Sequence, residues 1–206
     1  MPYGVGRTRW KRFALVLVPG VTAAAALGLA MAQGALAASF FISGQRFQVG
    51  ADSLTVRGLS IYGMVDVPRQ GAPVPVVVTG LRHAKIDGLC QSVVVPIPVL
   101  GTYTLRLTGD GARAEAKDMF IDGTSLAAGQ ASLDDLEIGV AAGSLTKGKI
   151  NPDDRDSRFF DPNGIAQQAA SATLTDVRVT AVAVSAATLN VPGLNVRLVK
   201  GRDECF

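Results

Sequence analysis

From Phe41 onward the sequence alternates between apolar and polar residues with a period of two. Successive side chains of an extended strand point to opposite faces, so this alternation predicts strands with one buried face. No segment after residue 40 shows a sustained helical period with caps, and the prolines in the middle of the chain disfavour helix there. The fold class is therefore predicted to be all-β. The alternating apolar positions are Phe47-Val49-Ala51, Leu54-Val56, Leu59-Ile61, Val74-Val76-Val78, Tyr103-Leu105-Leu107, Val177-Val179-Ala181 and Leu194-Val196-Leu198.

A short motif interrupts the predicted strands: an apolar residue, one or two turn-forming residues, and another apolar residue. Three copies share a longer frame, Ala-x-(Leu/Ile)-x-x-(Leu/Val), which begins at Ala84, Ala131 and Ala172. Gly and Asp at such places predict a sheet that bends repeatedly, although the irregular spacing also fits the hairpins of a sandwich. The predicted architecture is a curved or sandwich-like antiparallel sheet. The copies of the motif are 56–59, 86–89, 133–136, 174–177 and 191–194.

An uncharged segment before the strands predicts export. Four basic residues between positions 7 and 12 precede Phe13 to Ala32, which is long enough to span a bilayer as a helix. Ala35 and Ala37 then form the small-x-small pattern of a signal peptidase site, so cleavage and retention as an anchor both fit. We predict that residues 1–38 are a signal peptide or membrane anchor and that 39–206 form an extracytoplasmic domain, anchored or secreted. The predicted anchor residues are Phe13, Leu15, Leu17, Leu27 and Leu29.

The basic isoelectric point of the chain comes from this leader. The whole chain has 20 basic and 17 acidic residues, and removal of the four leader cations leaves 16 basic residues against 17 acidic ones. A nucleic-acid-binding domain needs a basic surface in its folded part. The sequence therefore predicts no nucleic-acid partner.

Cys90 and Cys205 fit an oxidising compartment, where two cysteines usually pair. Their bridge would close a loop of more than a hundred residues, worth about 4–5 kcal/mol as an upper figure in the chain-entropy model. It would also fix a terminus that would otherwise fray. Two cysteines and the single His83 fall short of the four ligands of a structural zinc site, so we expect a disulfide and no metal.

Residues 142–168 break the strand pattern with mixed charges, prolines and glycines, which predicts a solvated loop. Its acids, among them Asp153, Asp154 and Asp156, invite a calcium interpretation. The order of these acids lacks the alternating ligands, the central glycine and the terminal glutamate of a calcium loop. We therefore expect no metal and no cofactor.

The sequence offers little for catalysis. Any Ser-His-Asp arrangement must use His83, which lies between basic residues and is expected on an exposed strand face. The nearest approach to a nucleophile elbow, Gly123-Thr124-Ser125-Leu126-Ala127, lacks the final glycine. Asp134 and Asp135 are adjacent on a turn and point apart. No catalytic residue is predicted.

Several strings of residues together resemble an actinobacterial family of unknown function, exported by high-GC Gram-positive bacteria, over essentially the whole chain. The resemblance implies an envelope or secreted location, and both cysteines match cysteines of that family. It also makes a small multi-spanning membrane protein a plausible partner. Many members carry the automatic label "cholesterol esterase", but no catalytic motif transfers to a serine of this chain. The strings are Thr8–Phe13, Ala32–Phe40, Gly88–Val93, Ile138–Gly143, Ala172–Val177 and Glu204–Phe206.

Three functions compete at this point. The leading hypothesis is a non-enzymatic envelope protein whose aliphatic sheet binds lipid or packs against a membrane partner, because the chain has more apolar residues than a thin domain needs to bury. The second is an esterase or lipase that acts on hydrophobic esters such as sterol esters. The third is a structural surface module joined to others through strand edges.

Overall fold

A computed structural model describes residues 45–67, 72–97 and 101–206. The chain divides into two units, Met1–Leu36 and Ala37–Phe206, and all described residues belong to the second. The predicted leader, its anchor residues and its cleavage site lie outside the described residues. Within the described ranges, no helix has the length and apolar character needed to cross a membrane.

Over the described ranges, nine antiparallel strands belong to a single sheet, which confirms the all-β prediction. One short α-helix, α1 (Pro152–Arg155), is also present among the described residues. The strands are β1 (Phe47–Asp66), β2 (Val74–Asp87), β3 (Cys90–Ile97), β4 (Gly101–Thr108), β5 (Ala114–Ala127), β6 (Gln130–Asp134), β7 (Glu137–Ala141), β8 (Ile165–Asn190) and β9 (Asn195–Lys200).

The four longest strands pair in a closed cycle. β1 pairs with β2 on one edge and with β8 on the other, β2 pairs with β5, and β5 pairs with β8. The cycle closes because β8 has 26 residues and serves two partners. Its residues 166–181 pair with β1, and its residues 178–190 pair with β5. The sheet therefore curves until it returns to its own first strand.

The interior of the cycle is filled by side chains from all four strands, which we call the main core. Val56, Leu81 and Ala172 are at most 1% exposed there, and Met119 packs with them. Few strands enclose a narrow interior, so small side chains are needed among the larger ones. The alanines of the main core are Ala84, Ala114, Ala116, Ala169, Ala172, Ala181 and Ala186.

The interrupting motif predicted from the sequence places a backbone kink in every copy. The third residue of each copy has a positive φ: 75° at Gly58, 64° at Gly88, 53° at Asp135, 50° at Asp176 and 58° at Gly193. Glycine adopts this region without a steric penalty, and aspartate tolerates it better than most residues. Two of the copies, at Gly58 and Asp176, lie inside the long strands β1 and β8 and bend them as the motif predicted, and the other three lie between consecutive strands.

The kink at Gly58 also changes which residues of β1 point into the main core. The pairing of β1 with β2 skips Gly58 and the opposite Arg82. Leu54 and Val56 face the main core before this point, and Leu59 faces it afterwards. After the kink, the alternate side chains of β1, such as Tyr62, point away from the main core. A second layer must therefore cover them.

Residues 142–164 supply that cover, and we call them the cover segment. They contribute Ala142 and Ile150 to a second core with Tyr62, Val78 and Phe120 of the sheet. The predicted loop of 142–168 is thus shorter, because β8 begins at Ile165, and it is only partly solvated, because Ile150, Asn151 and Asp154 are buried.

Candidate functional site

Strands β3, β4 and β9 leave the closed cycle, and we call them the arm. β3 pairs with β1 only over Gln48–Gly50, then continues with β4, and β4 pairs with β9. Pro96 lies in the part of β3 beyond its pairing with β1, where only β4 is paired with it among the described strands and an edge position tolerates proline. The arm therefore projects from the start of β1 as a three-stranded extension.

One face of the arm is apolar and exposed. Leu105 of β4 lies opposite Leu198 of β9, and Leu107 lies opposite Val196, so these side chains share a face. Leu198 is 58% exposed, Val196 55% and Leu105 38%. Contiguous exposed aliphatic residues of this kind usually mark an interaction surface. We call the face of Leu105, Leu107, Val196 and Leu198 the arm face; its inner residue Leu107 is partly buried and packs against the main core.

Basic side chains lie on both faces of the arm near β9. Arg197, Lys200 and Arg202 lie on β9 or just after it and are exposed. Arg106 of β4 is held by an ion pair with Asp203, with 2.8 Å between Nη1 and Oδ1. β9 pairs only with β4 among the described strands, so its other edge has no described partner. The charged residues of β9 oppose the pairing of this edge with a strand of another molecule.

The arm is fastened to the cycle by the C-terminal tail. The predicted disulfide between Cys90 and Cys205 is confirmed, with the two Cα atoms 5.9 Å apart. The amide of Cys205 donates to Ser92 Oγ (3.0 Å), and the amide of Phe206 donates to Gln48 Oε1 (3.1 Å). The tail thereby ties β3 to the first residues of β1.

The described chain also begins at the arm. Gln45 and Arg46 line a surface depression together with Val94, Pro96 and Arg202. The chain therefore enters β1 next to the arm and meets the rest of the sheet afterwards.

A second candidate site lies at the other end of β1, where a cavity of about 260 Å³ opens between the sheet and the cover segment. We call it the acidic cavity, because Asp66, Asp122, Asp153 and Asp154 line it and no described lining residue is basic. Asp122 is 8% exposed, and its Oδ1 makes no hydrogen bond within the described part of the chain. Asp66 Oδ2 is also buried without a partner there.

Tyr62 joins the sheet to the cover segment beside this cavity. Its hydroxyl donates to Asp154 Oδ2 (2.6 Å) and accepts from the amide of Asn151 (2.9 Å). The Asn151 side chain in turn accepts from the amide of Asp153 (3.3 Å) and so caps the first turn of α1. One phenol thus fixes the wall of the cavity that carries Asp154.

The acids of the cavity shift one another towards the protonated form. Burial raises the pKa of Asp122 to about 8, with further increases from the charges of Asp66 and Asp154. Burial raises the pKa of Asp66 to about 6, and the charge of Asp154 adds to it. Burial also raises the pKa of Asp154, against the hydrogen bond from Tyr62, which lowers it. At neutral pH the Asp122 carboxyl is therefore mostly protonated.

The structure does not bring His83 and Ser125 together. His83 is exposed on β2 and pairs with Lys117 of β5, which lies eight residues from Ser125 on the same strand. At 3.3 Å per residue this is about 26 Å. Arg57 lies opposite His83 on the other side, so the histidine has basic neighbours on both flanking strands.

The adjacent Asp134 and Asp135 serve the sheet. Asp134 Oδ2 accepts from Ser171 Oγ (2.6 Å), and Asp135 pairs with Lys147 at 2.8 Å. Among the described residues, no three His, Cys, Asp or Glu side chains are arranged to hold a metal ion.

Sequence reasoning missed the acidic cavity, because its acids are 56 and 32 residues apart along the chain at Asp66, Asp122 and Asp154. A signal was present at Asp122, however. It lies between Ile121 and Gly123 in the strand 114–127, where both Phe120 and Ile121 are buried. An acid inside a run buried on both faces indicates a special site.

The comparisons with known proteins give one match. A protein-family model described as a family of unknown function (DUF6230) matches residues 43–206. No curated protein and no solved structure matches the chain.

Proposed function

We propose that this chain, which belongs to the DUF6230 family, is a non-enzymatic protein of the cell envelope whose arm face rests on a lipid surface. The observation that carries the proposal is the uncovered aliphatic face of the arm. Leu198 and Val196 are more than half exposed and lie on one face with Leu105, whereas the sheet face around Tyr62 and Val78 is covered by the chain itself. The interior of the closed cycle is filled by protein side chains, so lipid contact is assigned to the outer surface.

The charges of the arm favour a lipid surface over a second copy of the chain. Lys200 lies on the same face of β9 as Val196 and Leu198, Arg197 lies on the opposite face, and Arg202 pairs with Glu204 at 3.5 Å. Two copies that met through β9 would bring the like charges of Lys200 and Arg197 together. Each basic residue near an anionic bilayer contributes about 1 kcal/mol of attraction. An anionic lipid surface therefore satisfies both the aliphatic and the basic side chains.

The position of the chain entry supports the same orientation. Residues 33–44 join the predicted anchor to Gln45, and twelve extended residues reach at most about 40 Å. Gln45 lies beside the arm, so the segment that leads towards the predicted anchor leaves the sheet at its arm end. A multi-spanning membrane protein that occupies the arm face is the competing occupant.

The test is flotation of residues 39–206, which contain the whole described sheet and both cores, with vesicles of phosphatidylcholine and phosphatidylglycerol. We expect binding that weakens when salt is raised. The variant Val196→Asn with Leu198→Asn should reduce bound protein at least tenfold. The matched control is Ile138→Asn with Ile165→Asn, which removes two exposed aliphatic residues away from the arm, 65% and 75% exposed.

The proposal fails if the arm variant and the control variant float equally well, or if the unaltered domain does not bind vesicles at all. Absence of vesicle binding together with capture of a membrane protein through the arm face would assign that face to the competing occupant.

A further inference from the structure

We propose that the acidic cavity is a binding site for a guanidinium group, supplied by an arginine side chain of a partner or by a small guanidinium compound. The site is independent of the arm face, because it lies at the opposite end of β1. Its features are a cavity of about 260 Å³, four carboxyl groups around it, and a carboxyl oxygen of a residue only 8% exposed that has no described partner.

The unpartnered oxygens give the cavity two acceptors that a ligand can use. A buried acceptor without a hydrogen bond costs about 1–3 kcal/mol, so native proteins seldom leave one. Here Asp122 Oδ1 and Asp66 Oδ2 are both buried and unpaired within the described residues. A ligand that donates hydrogen bonds to both would remove this cost.

The geometry favours an extended cation over a metal ion. The carboxylates are not grouped closely enough for three of them to hold one ion. A guanidinium has five N–H donors in a planar fork and can reach acceptors that are several ångströms apart. A water molecule occupies about 30 Å³ in the liquid, so the cavity has room for the four non-hydrogen atoms of a guanidinium. Ser157 and Ser185 add hydroxyl groups to the lining.

Binding of a cation must be linked to release of a proton. Asp122 of β5 is faced by Asp66 of β1, by Asp153 and Asp154 of α1, and by the phenol of Tyr62. Its pKa of about 8 means that the carboxyl is mostly protonated at pH 7, whereas a guanidinium pairs with the carboxylate. The affinity should therefore rise by up to tenfold per pH unit between about pH 6 and 8.

The experiment is calorimetric titration of the full 206-residue chain in a nonionic detergent with methylguanidinium at pH 7. Two buffers of different ionisation enthalpy report the protons released. We expect saturable binding with a dissociation constant in the millimolar range or below, and release of close to one proton. Asp122→Asn should weaken binding at least tenfold and abolish the proton release. Glu115→Gln, which removes an exposed acid of the same strand outside the cavity, should change neither.

Three results would overturn the proposal: no saturable binding by the unaltered chain, equal binding by Asp122→Asn, or equal binding of tetramethylammonium, which has the charge but no N–H donor. Arg69 follows Val67 of the cavity lining by two residues in the sequence. If only the Arg69→Ala variant binds methylguanidinium, the chain's own arginine occupies the cavity, and the external ligand is excluded.

A second pair of titrations separates the two sources of the group. An Arg-containing tripeptide blocked at both ends and the small compound agmatine are compared at the same pH. Tighter binding of the peptide assigns the cavity to a partner protein, and tighter binding of agmatine assigns it to a small molecule. Either result supports the recognition of guanidinium.

Discussion

The second core and the arm begin from the same kind of surface, an aliphatic sheet face, but only one of them is covered. In the second core, the cover segment buries Val78 completely and Tyr62 to 1% exposure. On the arm, no segment of the described residues lies over Val196 and Leu198, which stay more than half exposed. The described chain thus covers an apolar sheet face in the second core and leaves one exposed on the arm.

The cover is held by specific polar contacts as well as by apolar packing. Ser60 Oγ donates to the carbonyl of Lys149 (2.6 Å), and the Tyr62 hydroxyl bridges Asn151 and Asp154. Gly80 lets the backbone come this close, because a Cβ there would lie 2.8 Å from the Lys149 carbonyl oxygen. Within the described part of the chain, no comparable polar contacts hold a segment over the arm face, and exposed apolar patches of this kind often meet an external partner.

The largest expected effect comes from the covalent link that fastens the arm. Replacement of both cysteines, Cys90→Ser with Cys205→Ser, should lower the free energy of unfolding by up to about 4–5 kcal/mol, since the bridge spans 115 residues. Urea unfolding of the oxidised protein and of the variant measures the difference.

Reduction of the unaltered protein should reproduce the same loss, whereas the double variant should be insensitive to reductant. If the tail were held by its hydrogen bonds alone, the variant would unfold at the same urea concentration as the unaltered protein. That result would mean that the arm needs no covalent link to remain on the cycle.

The next effect concerns the acids beneath the cover. In the folded protein the pKa of Asp122 is about 8, against about 3.9 in the unfolded chain. The folded state therefore binds more protons between these values, and its stability is lost as pH rises from about 4 to about 8. The limiting slope is about 1.4 kcal/mol per pH unit, so the loss from pH 5 to pH 7 is at most about 3 kcal/mol.

Asp122→Asn should remove most of this slope, and a smaller slope from Asp66 should remain at lower pH because its folded pKa is about 6. Urea unfolding at pH 5, 6, 7 and 8 checks it, with Glu115→Gln as the matched control. Parallel curves for the unaltered protein and Asp122→Asn would contradict the burial of an ionisable group under the cover.

The sequence allowed the sheet to be predicted far better than the two sites. Alternation at 47–61 and 177–181 identified parts of β1 (Phe47–Asp66) and β8 (Ile165–Asn190), because one face of each is buried. The kinks at Gly58, Gly88 and Asp176 followed from residues that tolerate positive φ. The closure of β8 onto both β1 and β5 was not predictable, because strand pairing leaves no local pattern. The acidic cavity depends on that closure, since it joins residues from β1, β5 and α1.

The smallest of these effects separates the two regions through a matched pair of tyrosines. Tyr62→Phe removes the hydroxyl that pairs with both Asp154 and the amide of Asn151. The cost should be about 1–3 kcal/mol, because a buried carboxyl and a buried amide lose their partner. Tyr103 of β4, whose hydroxyl makes no hydrogen bond among the described contacts, should tolerate Tyr103→Phe within about 0.5 kcal/mol.

Hydrogen exchange gives the sharper measurement, because it locates the change. In Tyr62→Phe the amides of residues 150–157 should exchange faster than in the unaltered protein, while amides of the arm, such as those of β4, keep their rates. Faster exchange over the whole sheet would mean that the cover and the closed cycle open as one unit. In that case the cover segment would unfold together with the core. The second core and the arm would then differ in stability as well as in solvent exposure.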